Sequence, residues 1–323
     1  MLKTNLKIRF YTFILLFTLF LSQIPVTVSA ASARPTDIDT ADSGNILVGI
    51  SGTYEYVSKT KILKRINEIR KEACTKGYIN PSTGEKMKAS DYVPIKWSSD
   101  LEWIAQIRAA EATVYQDHTR PNGKSCFSIC CNGQQSWAES LAWNYTGLMH
   151  GIEQWYSEKK DWIKQNNNAV TGHYTSMINP NYTYIGLGSF GRESGGWKCT
   201  AAEFGYGNTG SEAKSKLKGK TIQIIEVTQK SIKKPKLSAP SSINVKKKNT
   251  LSVTCNIVYP GIMGGKNTSK GSIEQEIIWK SSKPSVLFVN AKGKIKAKKS
   301  GKATITAEVS GLYSLKKKIT VKK

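Results

Sequence analysis

Thr171-Gly172-His173-Tyr174-Thr175-Ser176-Met177-Ile178 sets a histidine between a glycine and an aromatic ring, just ahead of a strand-like stretch from Tyr182 to Gly188. The chain has only two other histidines, His118 and His150. A further strand-like stretch, Trp197 to Tyr206, follows across Gly-rich turns. Upstream lie three helical patterns. Ile62, Leu63, Ile66, Ile69 and Ala73 form an apolar stripe with Lys and Arg between them. Ser99-Asp100-Leu101-Glu102 reads as a capping box. The helix it opens continues through Ile104, Ala105, Ala109 and Ala112 towards Tyr115. A third pattern runs from Leu148 to Ile163. Helices first and strands later predict an α+β fold rather than repeated βαβ units.

Glu158 stands out in the third pattern. It lies three residues after Trp155 and four before Trp162, so it shares their face. A carboxylate on an apolar face costs free energy unless it is paired or reaches water.

Gly172-His173-Tyr174-Thr175 resembles the Gly-His-Tyr-Thr-Gln signature of the CAP superfamily: cysteine-rich secretory proteins, antigen 5 and pathogenesis-related class 1 proteins. Other segments agree in order. Ile66-Asn67-Glu68-Ile69-Arg70 is similar to the first helix of bacterial members, and Ile95 to Leu101 to the start of the second. His118-Thr119-Arg120-Pro121 resembles the segment bearing the family's first histidine. Ala138-Glu139-Ser140-Leu141 stands where members carry Gly-Glu-Asn-Leu/Ile, and Trp155-Tyr156-Ser157-Glu158 resembles the Trp-x-x-Glu helix. The resemblance covers residues 58–208. It implies an α-β-α sandwich whose cleft is lined by His118, Glu139, Glu158 and His173. Three departures stand out: Ala138 and Ser140 flank Glu139, Ser176 replaces the usual glutamine, and the Cys126–Cys131 insertion is unusual.

Two imidazoles and two carboxylates suit Zn²⁺ or another divalent metal. The same four could do acid–base work in hydrolysis, or hydrogen-bond to one another and hold loops. What the resemblance implies about ligands is broad: metal, sterol, lipid or peptide, with occasional protease activity. A Ser176–His173 protease pair is disfavoured if the segment is a regular strand, because residues three apart then face opposite ways.

The N-terminus reads as a secretory signal. Lys3, Lys7 and Arg9 precede an apolar run from Phe10 to Leu21, and Val28-Ser29-Ala30 and Ala31-Ser32-Ala33 suit cleavage after Ala30 or Ala33. No second long apolar stretch follows, so no transmembrane helix is expected once the signal is removed. Export argues against a nucleic-acid partner despite a formal net charge of +25. That charge is uneven. Residues 31–210 hold 19 basic and 18 acidic side chains, whereas residues 211–323 hold 26 Lys against 5 Glu. The domains expected are a signal at 1–30, a flexible leader at 31–53, the CAP-like unit at 54–208, a linker at 209–235 and a second unit at 236–323. Within the linker, Thr221 to Val227 looks strand-like.

Six cysteines in an exported chain default to disulfides. Cys74, Cys126, Cys130, Cys131 and Cys199 are the candidates, and 15 connectivities are open for six. Cys126-x3-Cys130-Cys131 near His118 also raises zinc, although oxidation competes and no C-x2-C pair is present.

The second unit reads as an all-β sandwich. Trp279-x-Ser-Ser, Pro284-x-Val286, Gly293-x-Ile295-x-Ala297 and Gly301-x-Ala303-Thr304-Ile305 resemble bacterial Ig-like group 2 domains, with Trp279 a core residue. Its lysines imply an anionic partner, a cell-wall polymer or a host glycosaminoglycan. The sequence as a whole reads as a secreted or cell-surface bacterial binding protein, possessing a cleft for a metal or small polar or lipid ligand. An extracellular hydrolase using the four cleft residues is the alternative, and an adhesin with a non-functional cleft is another.

Overall fold

The computed structural model describes residues 41–206, 218–309 and 312–323. The signal, the first part of the leader and residues 207–217, which span the end of the CAP-like unit and the start of the linker, lie outside them. In chain order the elements are β1 (Asn45–Tyr54), α1 (Lys59–Thr75), β2 (Lys96–Trp97), α2 (Ser99–Val114), β3 (Cys130–Cys131), β4 (Gln134–Gln135), β5 (Ala138–Asn144), α3 (Leu148–Ser157), α4 (Lys159–Ile163), α5 (Gly172–Ile178), β6 (Tyr184–Arg192) and β7 (Lys198–Gly205). Then come β8 (Gly219–Thr228), a short 3-10 turn (Gln229–Ser231), β9 (Ile232–Ser238), β10 (Ser242–Asn244), β11 (Lys248–Thr250), β12 (Ser252–Pro260), β13 (Lys266–Ile273), β14 (Ile277–Ser281), β15 (Leu287–Val289), β16 (Lys294–Ala297), β17 (Gly301–Val309) and β18 (Tyr313–Lys322).

Alternation along β6 builds the layers. Ile185 and Leu187 pack with Ile66, Ile152 and Tyr174, so α1, α3 and α5 cover one face of the sheet. Gly186 and Gly188 face α2 on the other. A Cβ on Gly186 would stand 2.0 Å from Glu102 N, and one on Gly188 2.7 Å from the Gln106 backbone. The missing side chains therefore let the helix backbone rest on the strand. That close seat buries α2 almost all round, as its run of small residues (Ala105, Ala109, Ala110, Ala112) permits. The result is the expected α-β-α arrangement.

Local details differ from the sequence reading. Ser98, not Ser99, caps α2, accepting Leu101 N–H at 3.3 Å. The third helical pattern breaks at Glu158 into α3 and α4. The Gly172–Ile178 segment is helix rather than strand. Arg70 holds its far end, donating to the carbonyls of Met177 (2.8 Å), Asn179 (3.0 Å) and Tyr182 (3.2 Å).

The largest departure concerns the boundaries. Residues 45–53, expected within a flexible leader, form most of β1, and β1 is central. One edge pairs with β8 from Asn45↔Thr228 to Tyr54↔Gly219. The other is shared, with Gly52–Tyr54 against β6 and Val48–Gly49 against β13. The main sheet thus runs β5-β7-β6-β1-β13-β12-β9, with β2 beside β6 and β8 beside β1. Ile46, Val48 and Ile50 are buried in the same cluster as Val253, Ile257, Leu287 and Ile305. The C-terminal strands share this core instead of forming a separately packed unit. They include a four-stranded sheet, β10-β18-β17-β14, and a three-stranded one, β11-β16-β15. Among the described residues the regular elements from Ile232 onward are strands, with partly buried Trp279 packed on their core. Side chains lock the seam too: Asn267 Nδ2 donates to Val114 O at 2.7 Å, and Tyr115 stacks on Tyr259 at 4.6 Å between centroids.

Gly186→Ala forces α2 off the sheet. We expect it to cost roughly 1–3 kcal/mol, read as a lower urea midpoint with unchanged m-value.

Candidate functional site

A fully buried guanidinium organises the site. Arg108, on α2, sends Nε to Glu139 Oε2 at 2.5 Å and Nη2 to Glu139 Oε1 at 3.1 Å. Its Nη1 reaches Glu111 Oε2 at 2.8 Å, and Nη2 also donates to the carbonyls of Asp117 and His118. Arg120 completes the chain, with Nη2 on Glu111 Oε1 at 2.8 Å and Nη1 on Ser128 Oγ at 3.0 Å. Each buried charge has an opposite partner, the condition for keeping such groups ionised. The two carbonyl contacts fix the loop after α2 and so place His118.

His118 Nδ1 lies 2.7 Å from Glu139 Oε1. Burial pushes the Glu139 carboxyl up, but Arg108 and the hydrogen bonds from His118 and Arg108 outweigh it, holding the group down to about 2. His173 forms a matching pair, with Nδ1 2.5 Å from Glu158 Oε1. The second oxygen of Glu158 accepts the backbone N–H groups of His173 and Tyr174, both at 3.1 Å. These are first-turn donors of α5 with no partner inside the helix. That is why a carboxylate sits at the α3–α4 break: it caps a neighbouring helix and orients the imidazole there. The rings of His118 and His173 lie 6.4 Å apart and nearly parallel, and Trp155 flanks His173 at 6.4 Å. His118 keeps 54% of its side chain exposed and His173 21%. The four residues singled out in the sequence thus meet as two His–Glu pairs. With each Nδ1–H donated to a carboxylate, the Nε2 lone pair of the neutral ring remains available as an acceptor or ligand atom.

Beneath the first pair lies Glu203, directly opposite Glu139 in the β5–β7 ladder. It is fully buried and neither oxygen has a hydrogen-bond partner, although Ser136 and Glu139 lie beside it. Burial and then the Glu139 charge push its carboxyl well above the usual range, so it stays protonated. Cys126 is adjacent: its sulfur, an imidazole nitrogen of His118 and a Glu139 oxygen lie within 4.8 Å of one another. Burial and Glu139 push that thiol up to about 12, so without a metal it stays protonated.

The family model described as "CAP: Cysteine-rich secretory protein family" matches residues 63–201. A CAP domain occupies that stretch. Venom allergen 5 of Vespula maculifrons is 26% identical over 159 residues, covering 47% of this chain and 68% of that protein. Venom allergen 5.02 of Vespa crabro is 26% identical, covering 47% and 74%, and venom allergen 5 of Vespa mandarinia is 26% identical, covering 52% and 82%. The solved structure of Schistosoma mansoni venom allergen-like protein 4 aligns with a TM-score of 0.33 at 18% identity, over 50% of this chain and 98% of that one.

The CAP domain departs from expectation in its cysteines. All six in the chain are free, and none of the expected disulfides is present. The sulfurs are held apart in different surroundings. Cys74 packs on Met87 Sδ at 3.9 Å, Cys131 faces Asp100 Oδ1 at 3.5 Å, and Cys199 and Cys255 sit on buried strands. Sequence reasoning also missed Arg108, Glu111 and Glu203. Arg108 and Glu111, three apart on an otherwise alanine-rich helix, were a visible signal; Glu203 carried none beyond a carboxylate inside a strand-like run. Ser176, the candidate nucleophile, donates its hydroxyl to Gly172 O at 2.8 Å and is half-buried.

Glu203 sets a pH dependence. Its pKa is raised on folding, so its contribution is intact below the ordinary value of 4.5 and is lost as pH rises above it, where the unfolded chain ionises and the folded one does not. Glu139 has the opposite sign: its contribution is present above 4.5 and is lost as pH falls towards about 2. Glu203→Gln should therefore raise the melting temperature more at pH 8 than at pH 4, measured by calorimetry at both.

Proposed function

We propose that this is a secreted or cell-surface binding protein whose CAP cleft holds a divalent metal, Zn²⁺ first among candidates, between His118 and His173. The observation that carries this reading is the matched pair of imidazoles, each with Nδ1 on a glutamate, 6.4 Å apart. Outer carboxylates of this kind set the tautomer and raise the basicity of a ligating ring. Glu139 has both oxygens engaged by Arg108 and His118, and Glu158 has both engaged by α5. In this reading the glutamates orient the rings rather than bind the ion. A bound metal would supply Lewis acidity and hold a polar or anionic ligand group. The hydrogen bond from Ser176 Oγ to Gly172 O disfavours Ser176 as a protease nucleophile, so binding is preferred to turnover.

The C-terminal strands fit attachment to an anionic surface. Lys302 on β17 and Lys316, Lys318 and Lys322 on β18 are exposed on the face away from Ala303, Ile305 and Ile319. Lys280 joins them from β14, partly balanced by Glu308 at 2.7 Å. One carboxylate among five ammonium groups leaves a cationic face. An anionic cell-wall polymer or a glycosaminoglycan is its natural partner, and a metal-bearing CAP domain would be held at that surface.

Adding Zn²⁺ at a hundredfold excess over its dissociation constant should raise the melting temperature of the whole protein by about 4–5 °C. The His118→Ala/His173→Ala double variant should lose that rise; an equal rise in both would contradict the reading. Retention on an immobilised phosphate polymer should be abolished near ~1 M salt, where the Debye length falls to about 3 Å. Retention through that wash would exclude the ionic mechanism.

A further inference from the structure

A second concavity lies at the seam between the CAP domain and the C-terminal strands. It has a volume of about 240 Å³ and shares no residue with the His118–His173 cleft. Gln116 follows α2, Tyr145 follows β5, Arg192 ends β6, Trp197 precedes β7, Met263 lies in the β12–β13 turn and Lys266 opens β13. The chain thus builds the groove from both of its regions.

Its chemistry is one-sided. No carboxylate lines it. Arg192 is part-buried and has no ion pair among the described residues. Its Nη atoms donate to Asn267 Oδ1 at 3.2 Å, Thr268 O at 3.3 Å and Ser269 Oγ, while its Nε is buried without a partner. A guanidinium in that position is costly until an anion meets it. Gly196 keeps space beside it, since a Cβ there would lie 2.7 Å from Arg192 Nη2. Gln116 Oε1 already accepts Ile262 N–H at 3.1 Å, so its amide offers donors. Lys266 is exposed and adds a second cation.

The apolar part is aromatic. Tyr145 is 73% exposed and meets Trp197 edge to face, at 6.2 Å and 75°. Two rings set across each other form a corner whose free faces suit the C–H face of a saturated ring. Met263, 83% exposed, lies on the same wall. Exposed aromatic and sulfur surface beside a guanidinium with no ion pair among the described residues is a poor arrangement for water alone. The volume is below the ~300–1,000 Å³ typical of drug-sized ligand pockets, so it suits a single ring.

We propose that this groove binds an acidic sugar residue: the pyranose ring on Tyr145 and Trp197, its carboxylate on Arg192 and Lys266, its hydroxyls on Gln116. Glucuronate is the simplest such group, free or as a unit of an acidic polysaccharide. The assignment is independent of the metal reading and of the lysine face.

The test is calorimetric titration of the whole protein with sodium glucuronate, glucose and sodium acetate. Glucuronate should bind in the millimolar range, with glucose and acetate each about tenfold weaker or more. Tyr145→Ala, at an exposed position, and Arg192→Gln should each weaken glucuronate by about tenfold. His118→Ala/His173→Ala should leave it unchanged. Should Arg192→Gln fail to fold, Tyr145→Ala decides alone. Equal binding of acetate, undiminished binding in Tyr145→Ala, or no glucuronate binding would each overturn the proposal.

Discussion

The Arg108–Glu139 pair governs the architecture of the site. A guanidinium with no exposed surface joins α2 to β5, and through Glu111 and Arg120 to the loop beyond. Removing one partner of such a pair leaves an uncompensated buried charge, which costs roughly 3–5 kcal/mol. The same guanidinium holds the carbonyls of Asp117 and His118, so the position of the first imidazole depends on it. Stability and site geometry are therefore coupled at one residue.

Two devices make that arrangement possible. Gly186 and Gly188 let α2 approach the sheet closely enough for Arg108 to reach the β5 carboxylate. Glu203 stays neutral opposite Glu139, which avoids two like charges facing each other across the ladder. The second imidazole is placed by different means: Glu158 caps the start of α5 and Arg70 binds its end. Two independent supports thus converge on rings 6.4 Å apart.

The C-terminal strands are more than an appendage. Because β13 pairs with β1, and β1 with β6, hydrogen bonding is continuous from the CAP domain outwards. A cationic strand region rigidly joined in this way would hold the cleft at a fixed orientation to whatever surface the lysines meet. The seam also creates the Tyr145–Arg192 groove, which neither region could form alone.

Periodicity and motif order were enough to determine three features of this protein. The stripes beginning at Ile62 and Ser99 specify helices, since 3.6-residue spacing needs no distant partner. The histidine and glutamate motifs identify His118, Glu139, Glu158 and His173, and the lysine count marks the C-terminal strands as cationic. Tertiary structure alone decided the rest. Asn45 to Tyr54 reads as leader locally and becomes a central strand because β8, β6 and β13 offer both its edges hydrogen bonds. The cysteines stay apart because their partners in space are Met87, Asp100 and buried strands, not one another. The roles of Arg108 and Glu203 depend on which charges lie within a few ångströms after folding, and sequence spacing carries no measure of that distance.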